Sequence, residues 1–148
     1  AFDLTYLRLI PGMVIMSPKD ENELRNMLYT ATLYKRGPIA MRYPRGNALG
    51  VETGDFEKME IGKGEIVKEG KDIAIIALGN MVKNSVDAAV ILKDKNIDAE
   101  IINARFVKPL DIELLSDVFG RFKKNYYSRR QYNCRGIRKR SRRICCAE

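Results

Sequence analysis

The 148-residue chain is 45% hydrophobic, which is enough apolar material for one domain or parts of two and argues against disorder throughout. Its net charge of +8 is uneven, because residues 121–148 hold 11 of the 27 Lys and Arg residues but one of the 19 acids. Residues 1–120 therefore carry a net charge of −2, and no apolar run approaches the roughly 20 residues that a membrane span requires.

All three cysteines lie in the same basic stretch, at Cys134, Cys145 and Cys146. Their spacing fits neither a zinc site nor a disulfide framework, and two adjacent cysteines have poor geometry for pairing with each other. No metal site is therefore predicted, and the cysteine-free body is compatible with a cytoplasmic enzyme.

The first predicted unit is a strand, a helix and a second strand. Residues 13–16 are an apolar run typical of a buried parallel strand, and Ser17 and Pro18 are suited to cap and begin a helix that extends to about residue 34. The residues predicted to face inward from this helix are spaced i, i+3, i+4 and i+7, namely Leu24, Met27, Leu28 and Ala31.

The second strand of this unit is predicted over residues 38–43, buried and parallel to the first. Pro44 has no N–H for the sheet and should end it. Arg45 then lies just past the carboxyl end of the strand. Ligands bind at that edge of open α/β sheets, and a guanidinium there suits a phosphate or a carboxylate.

A second α/β unit follows residues 46–60, which lack periodicity and are predicted to be a connector. The patterns predict an edge strand over 61–67, a buried strand over 72–78, a helix over about 81–95 and a strand over 99–104. Asp111 should cap a short final helix. The side chains predicted to face inward from the two helices are Val82, Val86, Ala89, Val90, Leu114, Leu115 and Val118.

From Lys123 onward no helical or strand period remains. A basic stretch with interleaved tyrosines could bind nucleic acid through phosphate contacts and stacking, or it could be a membrane-surface or nuclear address. The alternative that we favour is a shifted reading frame. Codons permitted for residues 124–135, read one nucleotide later, allow KIITVEDNTTVE, which begins as a buried strand. In that case residues 123–148 are out of frame and disordered.

Six blocks occur in the order typical of one enzyme family: AFDLTYLR (1–8), IPGMVIM (10–16), DENE (20–23), RYPRGN (42–47), IGKG (61–64) and RFVKPLD (105–111). On these blocks, roughly the first 120 residues closely resemble the 1-deoxy-D-xylulose-5-phosphate synthase family of the transketolase superfamily. The resemblance implies an excised piece of a longer α/β protein. Residues 1–48 would be the end of a pyrimidine-binding parallel-sheet domain, 49–60 a linker, and 61–122 an incomplete transketolase carboxy-terminal domain.

The family's reaction, as the resemblance implies it, joins pyruvate to glyceraldehyde 3-phosphate with loss of CO2, using thiamine diphosphate and Mg²⁺, for isoprenoid and thiamine precursors. Such chemistry needs histidines, a glutamate on the cofactor and a Gly-Asp-Gly metal motif. The chain has no histidine and no such motif. We therefore expect no catalytic, cofactor-binding or metal-binding residue here, and an inactive piece of a homodimeric cytoplasmic enzyme.

One substrate-binding residue is nevertheless implied. Arg45 matches the family position whose guanidinium holds the substrate phosphate. The alternative for Arg45 is packing on its loop or pairing with an acid. For the whole chain, the alternative is a non-catalytic α/β module with a basic nucleic-acid-binding tail, although we consider a nucleic-acid partner the weaker interpretation.

Overall fold

The computed structural model describes residues 3–123 and 125–128. Its elements, in chain order, are α1 (Asp3–Leu9), β1 (Val14–Met16), α2 (Glu21–Leu33), β2 (Ile39–Met41), β3 (Glu65–Lys68), β4 (Ile73–Ala77), α3 (Met81–Lys93), β5 (Ala99–Asn103), β6 (Phe106–Lys108), α4 (Ile112–Arg121) and β7 (Asn125–Ser128). No helix within this described part of the chain is long and apolar enough to cross a membrane.

The first sheet has the strand order β2-β1-β6. β1 and β2 are parallel, with Val14 opposite Ile39, which confirms the predicted strand–helix–strand crossover. β6 comes from the second predicted unit and pairs antiparallel with β1. The two units therefore share a sheet.

The second sheet has the order β3-β5-β4-β7. β4 and β5 are parallel and are connected by α3, in register from Ile73 opposite Ala99 to Ala77 opposite Asn103. β3 lies at one edge, antiparallel to β5, which confirms the predicted edge strand in a shorter form. The mixed α/β fold expected from the sequence is confirmed.

The core consists of buried aliphatic and aromatic side chains from both sheets. Met16, Met27 and Phe106 are fully buried in one cluster, so α2 and β6 pack around the same strand. Ile102 and Val118 lie in a larger cluster that joins the second sheet to α4. The predicted inward-facing residues of α4 are confirmed, since Leu115 and Val118 are buried and Leu114 packs against them.

The predicted start of α2 is wrong. The helix begins at Glu21, and its N-cap is Asp20, whose carboxylate accepts a hydrogen bond from the N–H of Glu23. Ser17 instead follows β1 and donates its N–H to the carbonyl of Arg105 at 2.9 Å. The cause is competition between two capping residues, because β1 and β6 hold Ser17 in the sheet region and leave the cap to Asp20.

The predicted inward faces of α2 and α3 are partly wrong. Met27 is fully buried, but Leu28 is 52% exposed, and on α3 Val90 is 61% exposed while Ser85 is buried. α2 instead buries polar side chains, including Thr30, whose hydroxyl accepts a hydrogen bond from the N–H of Met59 in the connector. The connector runs along the helix and is bonded to these acceptors, so part of the buried face of α2 is polar. The second strand is likewise shorter than predicted and only half-buried.

The expectation of no regular structure after Lys123 is wrong for Asn125–Ser128. These residues form β7, an edge strand parallel to β4, with Asn125 opposite Ala74. Lys124 and residues 129–148, which include most of the predicted basic tail and all three cysteines, lie outside the described residues.

Candidate functional site

Arg45 lies where the sequence predicts it, beyond the carboxyl end of a parallel strand. β2 ends at Met41, and the N–H of Arg42 makes the next contact with the first sheet, to the carbonyl of Met16 at 2.8 Å. The chain then leaves the sheet, and Arg45 is exposed. Its guanidinium is therefore accessible to a ligand from solvent.

Arg45 lines a cavity of about 580 Å³, which we call the Arg45 cleft. Its walls come from residues 18–21 and Leu24 at the start of α2, from residues 43–49 after β2, and from Asn80, Lys83 and Asn84 at the start of α3. Because the third segment belongs to the second predicted unit, both units form the cleft.

Three cations line the Arg45 cleft: Lys19, Arg45 and Lys83. Lys83 forms an exposed i,i+4 pair with Asp87 at 3.2 Å, a kind of surface pair that contributes little and yields readily to a stronger anion. The cleft also contains acids, at Asp20 and Glu21, and both carboxylates accept backbone hydrogen bonds. The cleft thus combines apolar side chains with a small excess of cationic over acidic groups, which suits a small anionic ligand.

Lys19 is held by an ion pair that reaches into the second unit. Its Nζ lies 2.7 Å from Glu65 Oε2, and Arg105 Nη2 lies 2.9 Å from the same oxygen. Burial alone would raise the pKa of Glu65, but the hydrogen bond from Lys19 and the charge of Arg105 hold it below its ordinary value of 4.5. Glu65 is therefore ionised near neutral pH and fixes Lys19 at the cleft wall.

Glu23 extends this network into the interior. Its side chain is 4% exposed and accepts hydrogen bonds from Arg105 Nε at 2.7 Å, from the Asn103 amide at 2.9 Å, and from the backbone N–H of Lys19 at 2.7 Å. Buried carboxylates require such partners. Glu23 thereby fixes the start of α2 against β5.

Glu21 contacts the connector. Its carboxylate accepts hydrogen bonds from the N–H of Val51 at 2.8 Å and of Leu49 at 3.2 Å. Gly50 between them has φ +77°, a left-handed conformation that glycine adopts without strain and that lets both N–H groups converge on one carboxylate. The hydrogen bond from its own backbone N–H is the main cause that holds the pKa of Glu21 below the ordinary value, and the bonds from Val51 and Leu49 add to this effect.

Ser17 and Gly79 lie against each other where the two sheets meet beside the cleft. Gly79 has φ +61°, and a Cβ added there would lie 2.5 Å from Ser17 Oγ. Gly79 immediately precedes Asn80, which lines the cleft. The turn between β4 and α3 therefore requires glycine for two reasons, its backbone conformation and the close approach of Ser17.

The sequence predicts only one of these residues as a site residue. The acids of α2 have the composition of a solvated helix face, and Lys19 and Lys83 lie in no recognisable motif. Lys19 and Glu21 are held at the cleft by partners far away in the chain, namely Glu65 for Lys19 and the connector backbone for Glu21. Within residues 3–123 and 125–128, no group of three His, Cys, Asp or Glu side chains could hold a metal ion, and we assign no cofactor-binding residue.

Two family models match the chain. The pyrimidine-binding domain of transketolase matches residues 1–49, and the transketolase C-terminal domain matches residues 62–127. The Arg45 cleft takes its walls from both matched regions.

The curated relatives that match the chain share the name of one enzyme. The chain is 56% identical over 118 residues to 1-deoxy-D-xylulose-5-phosphate synthase of Dictyoglomus turgidum, with 79% of the chain and 19% of the relative covered. It is 55% identical over 115 residues to the same enzyme of Symbiobacterium thermophilum, with 77% and 18% covered. The chain spans about one fifth of the length of the curated relatives that it matches.

Solved structures share the fold. A split-gene transketolase described as an inactive β4 tetramer matches with a TM-score of 0.72 at 28% identity, covering 86% of this chain and 42% of its own. A transketolase variant from Pichia stipitis matches with a TM-score of 0.64 at 24% identity, covering 79% of this chain and 18% of its own.

These matches define a class: the chain belongs to the transketolase superfamily, whose members are thiamine-diphosphate-dependent transferases, and it carries parts of two of the superfamily's domains. Within that class, the resemblance to 1-deoxy-D-xylulose-5-phosphate synthase inferred from the sequence blocks is confirmed.

Proposed function

We propose that this chain is a carboxy-terminal part of a 1-deoxy-D-xylulose-5-phosphate synthase that binds the acceptor substrate, and that Arg45 holds the phosphate of glyceraldehyde 3-phosphate. The observation that carries the proposal is the exposed Arg45 guanidinium in a cleft that also contains Lys19 and Lys83. The planar guanidinium donates two parallel N–H groups to phosphate oxygens, which fixes orientation as well as position.

In the complete enzyme, this contact would orient the aldehyde of the acceptor for formation of the new carbon–carbon bond. Thiamine diphosphate, when bound, supplies the electron sink for loss of CO2. Arg45 contributes by restricting the translation and rotation of the acceptor before the new carbon–carbon bond forms.

The chain alone is proposed to be inactive. It contains no histidine for proton transfer. The described residues include no acidic, histidine or cysteine cluster that would hold the Mg²⁺ of the cofactor. We propose that those groups belong to other parts of a cytoplasmic homodimer, whose product feeds isoprenoid and thiamine synthesis.

The test is the substitution Arg45→Ala in the complete enzyme that contains this chain. The apparent KM for glyceraldehyde 3-phosphate should rise about 10- to 100-fold, the range expected for losing a charge-assisted hydrogen bond. The KM for pyruvate should not change. Arg36→Ala is the matched control, because Arg36 is an exposed arginine that lines a different cavity. An unchanged KM for the phosphorylated aldehyde would show the assignment of Arg45 to be wrong.

A second test addresses the chain by itself. The purified 148-residue protein, incubated with thiamine diphosphate, Mg²⁺, pyruvate and glyceraldehyde 3-phosphate, should form no product. Turnover without any companion subunit would contradict the proposed division of roles.

A further inference from the structure

We propose that Glu21 is a positioning residue for Arg45, and that it strengthens anion binding at the cleft without touching the anion. The inference rests on the proposed function of Arg45. Its structural basis is a pair of hydrogen bonds from the backbone N–H groups of Leu49 and Val51 to the Glu21 carboxylate, at the carboxyl end of residues 42–50, which we call the Arg45 loop.

The Arg45 loop needs an anchor at both ends. On its amino side, the N–H of Arg42 is bonded to the carbonyl of Met16 in the first sheet. From residue 42 to residue 50 the backbone has no helix or strand. On the carboxyl side, the anchor is the Glu21 carboxylate, which binds Leu49 and Val51 on either side of Gly50.

Further anchors along the same connector act at a greater distance from Arg45. Asn22 Oδ1 accepts a hydrogen bond from the N–H of Gly54 at 3.2 Å, and Asn26 Oδ1 accepts one from the N–H of Glu57 at 3.1 Å. α2 therefore binds the connector at successive points, and Glu21 is the point nearest to the Arg45 loop. Asn22, which binds the connector farther from Arg45, therefore provides a matched control on the same helix.

Two effects of Glu21 on a bound anion have opposite signs. The carboxylate is a nearby negative charge and repels phosphate, so removal of that charge, considered by itself, should tighten phosphate binding. As an acceptor for two backbone N–H groups, it restricts the loop and lowers the entropy lost when Arg45 engages the anion. A substitution that removes the acceptors therefore distinguishes the two roles by the direction of the change.

The experiment measures the Kd of inorganic phosphate for the full 148-residue chain by NMR titration. Glu21→Met keeps the length of the side chain but removes both acceptor oxygens, and it should weaken phosphate binding about tenfold, as loss of hydrogen bonds to a charged group implies. Glu21→Gln keeps one acceptor oxygen and removes the charge, so its affinity should equal or exceed that of the unmodified chain. Asn22→Ala should leave the Kd unchanged.

Amide hydrogen exchange of Leu49 and Val51 supplies the second readout. Exchange should accelerate in Glu21→Met and not in Asn22→Ala. Faster exchange with an unchanged or lower Kd would overturn the inference, because the loop would be released without consequence for the anion. Unchanged exchange in Glu21→Met would overturn it as well.

Arg45→Ala separates this inference from the proposed function. If Arg45→Ala leaves the phosphate Kd unchanged, the proposed function fails, and the positioning role fails with it. If Arg45→Ala weakens binding but Glu21→Met does not, only the role of Glu21 is rejected.

Discussion

The Arg105 guanidinium lies 2.7 Å from the Glu23 carboxylate, although the two residues are 82 positions apart in the chain. Glu23 belongs to the pyrimidine-binding match and Arg105 to the C-terminal-domain match. This buried contact therefore joins the two matched regions beside the Arg45 cleft.

Replacing Glu23 by alanine should lower the free energy of unfolding by about 2 to 3 kcal/mol, because it leaves Arg105 and the Asn103 amide without their buried acceptor. Glu23→Gln keeps an oxygen that can accept the Asn103 hydrogen bond, and it should cost less. Urea unfolding followed by circular dichroism measures both. Equal losses for the two variants would contradict the importance of the retained acceptor.

Lowering the pH should weaken the contribution of Glu65 to the free energy of unfolding. Because its pKa is lowered in the folded state, its stabilising effect is complete above the ordinary value of 4.5 and is lost as the pH falls through the lower folded-state value. The difference in unfolding free energy between the unmodified chain and Glu65→Gln should thus shrink from pH 6 toward about pH 3. In a Lys19→Met background the same pH dependence should be smaller, because one of the two cations that lower the pKa is gone.

Gly79→Ala should destabilise the chain by about 1 to 2 kcal/mol, since alanine disfavours a positive φ and its Cβ would collide with Ser17 Oγ. Combining it with Ser17→Ala should recover the part due to collision and not the part due to backbone conformation. Gly120→Ala is the matched control. Gly120 lies in α4 with no atom near an added Cβ, so alanine there should leave stability unchanged or raise it. Thermal unfolding of the unmodified chain, Gly79→Ala, the Ser17→Ala/Gly79→Ala double variant and Gly120→Ala measures these differences.

Replacing Asn125 of β7 should stabilise the chain. Within the described part of the chain, Asn125 Oδ1 is buried without a hydrogen-bond partner, a costly arrangement. Asn125→Ile, the residue that the shifted frame permits, should raise the free energy of unfolding by about 1 kcal/mol. Tyr126→Ile is the control, because Tyr126 is 56% exposed and its replacement should have little effect.

The coding DNA tests the origin of the tail directly. Read one nucleotide later from Lys124, it should encode KIITVEDNTTVE or a close variant. A nucleotide sequence that does not restore a strand pattern there would reject the shifted frame, and salt-dependent binding to unrelated duplexes by residues 121–148 would then become the interpretation to test.

β4 and β5 follow closely from the sequence, which predicts strands over 72–78 and 99–104. Residues 73–78 are a continuous apolar run, and a strand buried on both faces is the arrangement that removes them from water, so β4 lies inside the predicted range of 72–78. β6 was not predicted. It has three residues, and its pairing with β1 depends on a contact between distant parts of the chain that local patterns do not encode.

For the site, the sequence predicts the place of Arg45 because a proline after an apolar strand marks the end of that strand. The sequence does not predict the buried state of Glu23, since a glutamate in the first helical turn is ordinarily solvated. Its burial depends on Asn103 and Arg105, which compensate its charge only after the two sheets have assembled. Periodicity therefore cannot place a polar residue such as Glu23 that is buried by its tertiary partners.

The antiparallel pairing of β6 with β1 has a consequence for the integrity of the molecule. A protease that cut the polypeptide near Gly54 would not release two independent pieces, because the first sheet and the hydrogen bonds of Lys108 Nζ to the carbonyls of Arg8 and Ile10 would still connect them. The cleaved protein should migrate as one species in native conditions and as two under denaturing electrophoresis.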